Sequence, residues 1–316
     1  MSKSVSTEEL FGHRITYPDV EPRERLARLV GVDDQKRRLA RILAVLVNPT
    51  GLRSWAEKHH PGADRLLAMV LRRPPLVVLA GDVGSGKTEL AETIGDAVAR
   101  QEEIDITLLP LSLSARGQGR VGEMTQLVSA AFDHTVAEAA KLKRASGKAR
   151  GGVILLVDEA DALAQSREAA QMHHEDRAGV NAFIRGVDQI ANRQVPAAVI
   201  MCTNRLGALD PAVRRRAADI LVFERPNDEQ RNAVLAEPLE SLGLCAGQIA
   251  ALVAATGPRD GRDYGFTFSD LTQRLLPSII LDAYPTVAVD PERALATARA
   301  MGPTPPFRDS EGETGR

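Results

Sequence analysis

The octapeptide GDVGSGKT, residues 81–88, fits G-x-x-x-x-G-K-[ST] at every fixed position. At this chain's own glycine, lysine and hydroxyl-residue frequencies, a match by chance somewhere in 316 residues is roughly a one in a few hundred event. Its setting constrains the fold further. The short apolar run LVVLA (76–80) precedes it and the helical pattern KTELAETIGDAVAR follows it. A glycine-rich turn from a buried strand into a helix aims helix N–H groups and the positive end of the helix dipole at one point, which suits phosphate. Gly81, Gly84 and Gly86 let the backbone come close, Lys87 reaches the β and γ phosphates, and the Thr88 hydroxyl ligates Mg²⁺. The candidate nucleotide-binding residues are therefore Gly81, Asp82, Val83, Gly84, Ser85, Gly86, Lys87, Thr88 and Glu89. A glycine-rich turn with no ligand is the alternative.

The same alternation of apolar run and helical pattern continues along the chain. ITLLPL (106–111), VILLVD (153–158), AAVIMCT (197–203) and DILVF (219–223) join LVVLA as five strands, each apolar almost throughout and so buried on both faces. Strands alternating with helices give an α/β fold with a five-stranded parallel sheet. Ahead of them DDQKRRLARILAVLV (33–47) carries Leu39, Ile42, Leu43, Leu46 and Val47 at helical spacing behind Asp33 or Asp34 as N-cap. Beyond the last strand NDEQRNAVLAEPLESLG, AGQIAALVAATG and FSDLTQRLLPSIILDAY read as successive helices, a second, all-helical unit. The tail from Met301 is rich in Pro, Gly and charge and is expected to be disordered or tied to a neighbour.

Two strand ends and one short helix carry polar chemistry. Parallel strands present their carboxyl ends to the ligand crevice, and VILLVDEAD ends there in Asp158 and Glu159. Asp158 would hold Mg²⁺ through water, and Glu159 would take a proton from the attacking water. Read without a ligand, the pair is a helix cap, a role for which Asp161 is the better candidate. AAVIMCT is followed by Asn204, whose amide can polarise the water or the γ-phosphate, or simply form a turn. In LDPAVRRRAADI, Asp210 caps a short helix starting at Pro211 and ending in Arg214, Arg215 and Arg216. These arginines form either a solvated face or a group offered to a neighbouring subunit's nucleotide.

In this order and spacing GVDDQKRRL (31–39), GDVGSGKT, LLVDEAD, CTN and DPAVRRRA resemble an AAA+ ATPase. They correspond to the nucleotide-clasping segment, Walker A, Walker B, first sensor and arginine fingers. The resemblance implies a P-loop NTPase core with a helical lid, ATP and Mg²⁺ as cofactors, and a ring, usually of six subunits, that couples hydrolysis to remodelling. It places Gly31 and Val32 near adenine, and Arg215 or Arg216 in trans at the neighbour's nucleotide. It divides the chain into an extension (1–27), the nucleotide-binding domain (28–226), the lid (227–300) and the tail (301–316). EDRAGVNAFIRGVDQI (175–190) with CTN and RAADI further resembles the pachytene checkpoint ATPases, which unfold part of HORMA-domain proteins. Bacterial relatives of these are associated with cyclic-oligonucleotide anti-phage signalling, so a HORMA-like partner is implied.

Two places depart from that pattern. The central pore loop would fall on LSLSARGQGRVGEM (111–124), which has no aromatic, leaving Arg116, Gly117, Gln118, Gly119, Arg120 and Val121 to grip substrate. In the lid Leu271 stands near the expected second-sensor position and Arg274 lies one turn along, facing either nucleotide or solvent. QSREAAQMHHEDRAG (165–179) would be a second pore loop.

Net charge of −2 argues against a protein that coats nucleic acid, and the basic stretch Arg23 to Arg41 lacks the aromatics that stack bases. No apolar run is long enough for a membrane span and the N-terminus lacks a signal-peptide core, so the expected home is the cytoplasm. Two other readings stay open: a nucleic-acid motor or helicase loader of the same superfamily, and a non-catalytic nucleotide-dependent scaffold.

Overall fold

The computed structural model describes residues 10–111, 123–144, 147–161, 174–207 and 209–306. Both candidate pore-loop segments, Arg116 to Val121 and most of 165–179, lie outside them, as does the tail from 307. Contacts divide the chain into two units. The first comprises residues 1–27, 34–80 and 88–221, and the second residues 28–33, 81–87 and 222–316.

The sheet runs β1 (Ile15–Tyr17), β3 (Asp105–Pro110), β4 (Gly151–Val157), β5 (Ala197–Thr203), β2 (Leu76–Gly81), β6 (Ala217–Phe223). The pairs β3–β4, β4–β5 and β2–β5 are parallel. Five of these are the expected strands; β1 is additional. It is antiparallel to β3, with Ile15 opposite Leu108 and Tyr17 opposite Ile106. Three residues before a proline are too short a run to carry a period-2 signal. Its anchor is Tyr17, fully buried, whose hydroxyl donates to the Glu92 carbonyl. Burial, then the nearby Glu92 carboxylate, raise the pKa of that phenol.

Helices α1 (Val20–Arg28), α2 (Asp33–Val47), α3 (Pro49–His59) and α4 (Asp64–Leu71) precede β2, and α5 (Lys87–Glu102) follows it. α2 covers the expected 33–47 stretch, but Asp33 and Asp34 lie within its first turn and neither is its cap. One face of the sheet is covered by α6 (Glu123–Leu142) and α7 (His174–Arg193). Their buried stripes, Val128, Ala131 and Phe132 against Val180, Phe183 and Val187, close over Leu76, Val78, Leu155 and Val199. Phe132 and Phe183 meet edge to face, centroids 5.5 Å apart, and a Cβ at Gly186 would lie 2.2 Å from the Phe132 ring. That is why a small residue stands in the middle of a long helix.

The second unit holds α9 (Asp228–Ser241), α10 (Ala246–Ala255), a π-helical turn (Asp270–Leu275) leading into α11 (Leu276–Ala283), and α12 (Pro291–Ala300). The remaining helix, α8 (Pro211–Arg214), belongs to the first unit and is capped by Asp210, which accepts from the Ala212 amide at 2.7 Å. Leu235, Leu239, Ile249, Leu252, Phe266, Leu271, Leu275 and Ile279 form the lid's own core. α9 begins with a capping box: Asn227 accepts from the Gln230 amide at 2.8 Å, and the Gln230 side chain accepts from the Asn227 amide at 3.0 Å. The start of the tail differs from expectation. Thr304 bonds Asp270 through its amide at 2.9 Å and its hydroxyl at 2.7 Å, so the chain just past α12 is tied to its own lid. No helix among the described residues is long and apolar enough to cross a membrane.

Candidate functional site

In the second unit the phosphate loop is shaped by close backbone approach. A Cβ on Gly81 would lie 2.2 Å from the Phe223 carbonyl oxygen. Gly84, at φ +73°, would bring one within 2.7 Å of Ser269 Cβ, and its carbonyl accepts from the Ser269 amide at 3.0 Å. Ser85 and Lys87 are buried. The Lys87 ammonium donates to the carbonyls of Gly81 at 2.9 Å and Asp82 at 2.7 Å, so its charge is held within the loop that would meet phosphate. Val83 is exposed.

Arg225, which the sequence reading did not single out, braces this loop. Its Nε donates to Asp82 Oδ2 at 2.7 Å, its Nη1 to the Gly265 carbonyl at 2.7 Å, and its guanidinium lies 4.9 Å from the Tyr264 ring centroid. The only sequence signal was an arginine two residues past an apolar strand. Gln230 also does more than cap α9, for its Nε2 donates to the Gly31 carbonyl at 2.6 Å. Val32 beside it is buried.

In the first unit, register fixes which groups share an edge. Val157 pairs with Met201, and Thr203 with Ala80, so β4, β5 and β2 end side by side. Asp158 and Glu159 follow β4, and Asn204 follows β5. Asp158 Oδ1 accepts from the Glu159 amide at 2.8 Å. Glu159 is exposed and sits at φ +49°, in the left-handed region, at a cost of about 1–3 kcal/mol for a residue with a side chain. The two adjacent carboxylates thus differ in surroundings, Asp158 half-buried and Glu159 exposed.

Asp161 is the residue that organises this edge. It accepts from the Thr203 hydroxyl at 2.6 Å, the Asn204 amide at 2.9 Å and Asn204 Nδ2 at 3.3 Å. It therefore links the turn after β4 to the end of β5 and orients the Asn204 amide. The sequence marked it only as a helix cap. Thr88 is exposed on the first turn of α5. Glu89 beside it is engaged by Arg25 from α1, through Nε and Nη2 at 2.8 Å each, and the same Nη2 reaches Glu92 at 2.8 Å. Hydrogen bonding to Glu89 raises the Arg25 pKa, burial notwithstanding, so the clamp stays charged.

The three arginines of α8 and its end have separate environments. Arg214 donates to the Leu206 carbonyl at 3.1 Å. Arg216 forks onto Asp188, Nε to Oδ1 at 2.7 Å and Nη2 to Oδ2 at 2.9 Å, which raises its pKa. Arg215 is exposed and has no ion-pair partner among the described residues. In the lid Arg274 donates to Asp270 Oδ1 at 2.6 Å and remains half-exposed, while Leu271 is buried in the core. Burial alone would raise the pKa of Asp270. Hydrogen bonds from Thr267, Thr304 and Arg274 outweigh it and lower the value to about 2.

Residues 77–225 match the family described as "ATPase family associated with various cellular activities (AAA)". The chain is 68% identical to CD-NTase-associated protein 6 of Escherichia coli strain MS 115-1, over 98% of this chain and all of that one. Among solved structures, a chain of the E. coli MS115-1 HORMA:CdnC:Trip13 complex superposes with a TM-score of 0.89 at 67% identity, covering 96% of this chain and 99% of that one. Rhizobiales Trip13 superposes at 0.74 with 61% identity, covering 94% and 100%. By these likenesses the chain belongs to the AAA ATPases and, within them, to the Trip13-type family that includes CD-NTase-associated protein 6.

Proposed function

We propose that the protein is a ring-forming, Mg²⁺-dependent ATPase that uses hydrolysis to unfold or disassemble part of a HORMA-domain partner in anti-phage signalling. The observation that carries the partner is end-to-end likeness, at 67% identity over 96% of this chain, to a chain solved in a complex with HORMA and CdnC.

The residues present fit nucleotide and metal. Thr88 offers a hydroxyl and Asp158 a carboxylate, oxygen donors suited to a hard cation. Mg²⁺ between such donors and phosphate would neutralise charge as it develops in transfer. The backbone of the loop Gly81–Gly86 would cradle the phosphates, and Lys87 would exchange loop carbonyls for phosphate oxygens. Gly31 and Val32 would contact adenine. Glu159, exposed and unencumbered by an ion pair among the described residues, would accept a proton from the attacking water. Asn204, held by Asp161, would orient that water.

Arg215 is the favoured arginine finger. Arg216 is spent on Asp188 within its own chain, whereas Arg215 is exposed and has no ion-pair partner among the described residues. That reading makes a ring, in this family a hexamer, the working form. Arg116, Arg120 and Val121 would grip the partner's chain in the ring's axis.

The test is disassembly of a HORMA-domain partner complex, followed by size exclusion in the presence of Mg²⁺ and ATP. The chain should disassemble it, Glu159→Gln should bind and hold it, and Arg116→Ala/Arg120→Ala/Val121→Ala should spare ATPase yet lose disassembly. Intact partner after complete ATP turnover by the unmodified chain would contradict the reading.

A further inference from the structure

A groove of about 880 Å³ opens at the amino-terminal edge of the sheet, where Pro75 leads into β2 and Pro196 into β5. These are the opposite ends of the strands from those that carry Asp158 and Asn204. Arg53 of α3, Arg72 and Arg73 after α4, and Lys143 and Arg144 after α6 all line it. Not one described lining residue is an Asp or Glu. In a chain with 40 cationic and 42 anionic side chains, five of one sign around one cavity is a marked departure from balance.

The local carboxylates do not neutralise it. Glu57 and Asp64 line the smaller neighbouring cavity that Arg53 also borders. Glu102 is bonded to Asn48 Nδ2 at 2.8 Å, and Glu103 pairs with Lys148 at 3.4 Å. Among the described residues Arg53, Arg72, Arg73 and Arg144 have no ion-pair partner, and Lys143 donates to a backbone carbonyl, that of Arg193, at 3.0 Å. Like charges gathered around a concave, partly apolar wall repel one another, and an anion there meets a focused field.

We propose that this groove is an anion site, separate from the strand ends that carry the reaction, which takes a small, multiply phosphorylated ligand through its phosphates. Its volume falls in the upper part of the roughly 300–1,000 Å³ range of small-molecule sites. Four of the five cations are arginines, whose planar forks match phosphate oxygens in pairs. Charge density favours phosphate over an acidic peptide. Matching four or five cations takes as many acidic side chains, strung out at about 3.3 Å per residue. One triphosphate carries about four negative charges in a single compact group, at up to two per phosphate. No aromatic is among the described residues that line the groove, so no base is stacked on them and the nucleoside part goes unread.

The probe is inorganic tripolyphosphate, titrated calorimetrically into the full chain carrying Lys87→Ala, which disables the phosphate loop. It should bind saturably, one per chain, and ATP should bind with an affinity within about threefold of it, since only phosphates are recognised. Adding Arg72→Gln, Arg73→Gln and Arg144→Gln should weaken binding by about tenfold or more, and Arg144→Glu alone should weaken it measurably and serves if the triple variant fails to fold. No saturable binding, or binding indifferent to these substitutions, would overturn the proposal. So would a groove that takes a single-stranded oligonucleotide and ignores tripolyphosphate.

Discussion

At the scale of single residues, the described site separates groups that do chemistry from groups that aim them. Glu159→Gln would remove the proposed proton acceptor but keep the shape, so ATP binding should persist while turnover falls by about 10²–10⁴. Asp161 makes no proposed contact with ATP, yet Asp161→Ala strips partners from Thr203 and Asn204 together. That should cost about 1–3 kcal/mol of stability and lower kcat with little change in KM. Thermal unfolding and steady-state kinetics on one preparation check both. If kcat is unchanged, Asn204 needs no aiming. The acids of LLVDEAD stood out in the sequence because of their type and their position at a strand end. Asp161 was not, because its role depends on β5 lying beside β4, a relation of 42 residues that no local pattern carries. Arg225 was hidden for the same reason: Asp82 stands 143 residues away.

Among the elements, those with long apolar runs or strong periodicity were legible: the five expected strands, α2 and the lid helices α9, α10 and α11. β1, α3 and α4 were not. β1 is three residues long, and α3 and α4 are short helices that leave Trp55, Leu66 and Met69 exposed, which blurs their amphipathic signal. The lid's π-helical turn supplies a pH prediction. Asp270 is buried at its start with a pKa near 2, below the ordinary carboxylate value of about 3.8. A depressed carboxylate stabilises the folded form above its unfolded pKa and loses that stabilisation as pH falls through the folded one. The lid should therefore lose about 2 kcal/mol between roughly pH 4 and pH 2 on account of this residue. Asp270→Asn should flatten that limb of the stability curve; an unaltered acid limb would show that Asp270 is not its source.

For the whole molecule, the family was legible because its motifs are short, ordered and chemically specific, whereas the proposed assembly has only three adjacent arginines to mark it in the sequence. Arg214 and Arg216 are bonded within their own chain, which leaves Arg215 as the residue proposed for assembly. If Arg215 completes a neighbour's site, two inert variants should repair each other. Lys87→Ala cannot use its own nucleotide but offers an intact Arg215, and Arg215→Ala keeps an intact phosphate loop but offers no finger. An arginine supplied in trans is worth roughly 10³ or more in rate, so each variant alone should be nearly inactive. The decisive measurement is the ATPase rate of the two mixed in equal amounts under conditions where they co-assemble, verified by mass. The account predicts that activity returns on mixing, well above the sum of the two. A co-assembled mixture as inert as its parts, or an Arg215→Ala chain that hydrolyses ATP at the parent rate, would contradict it.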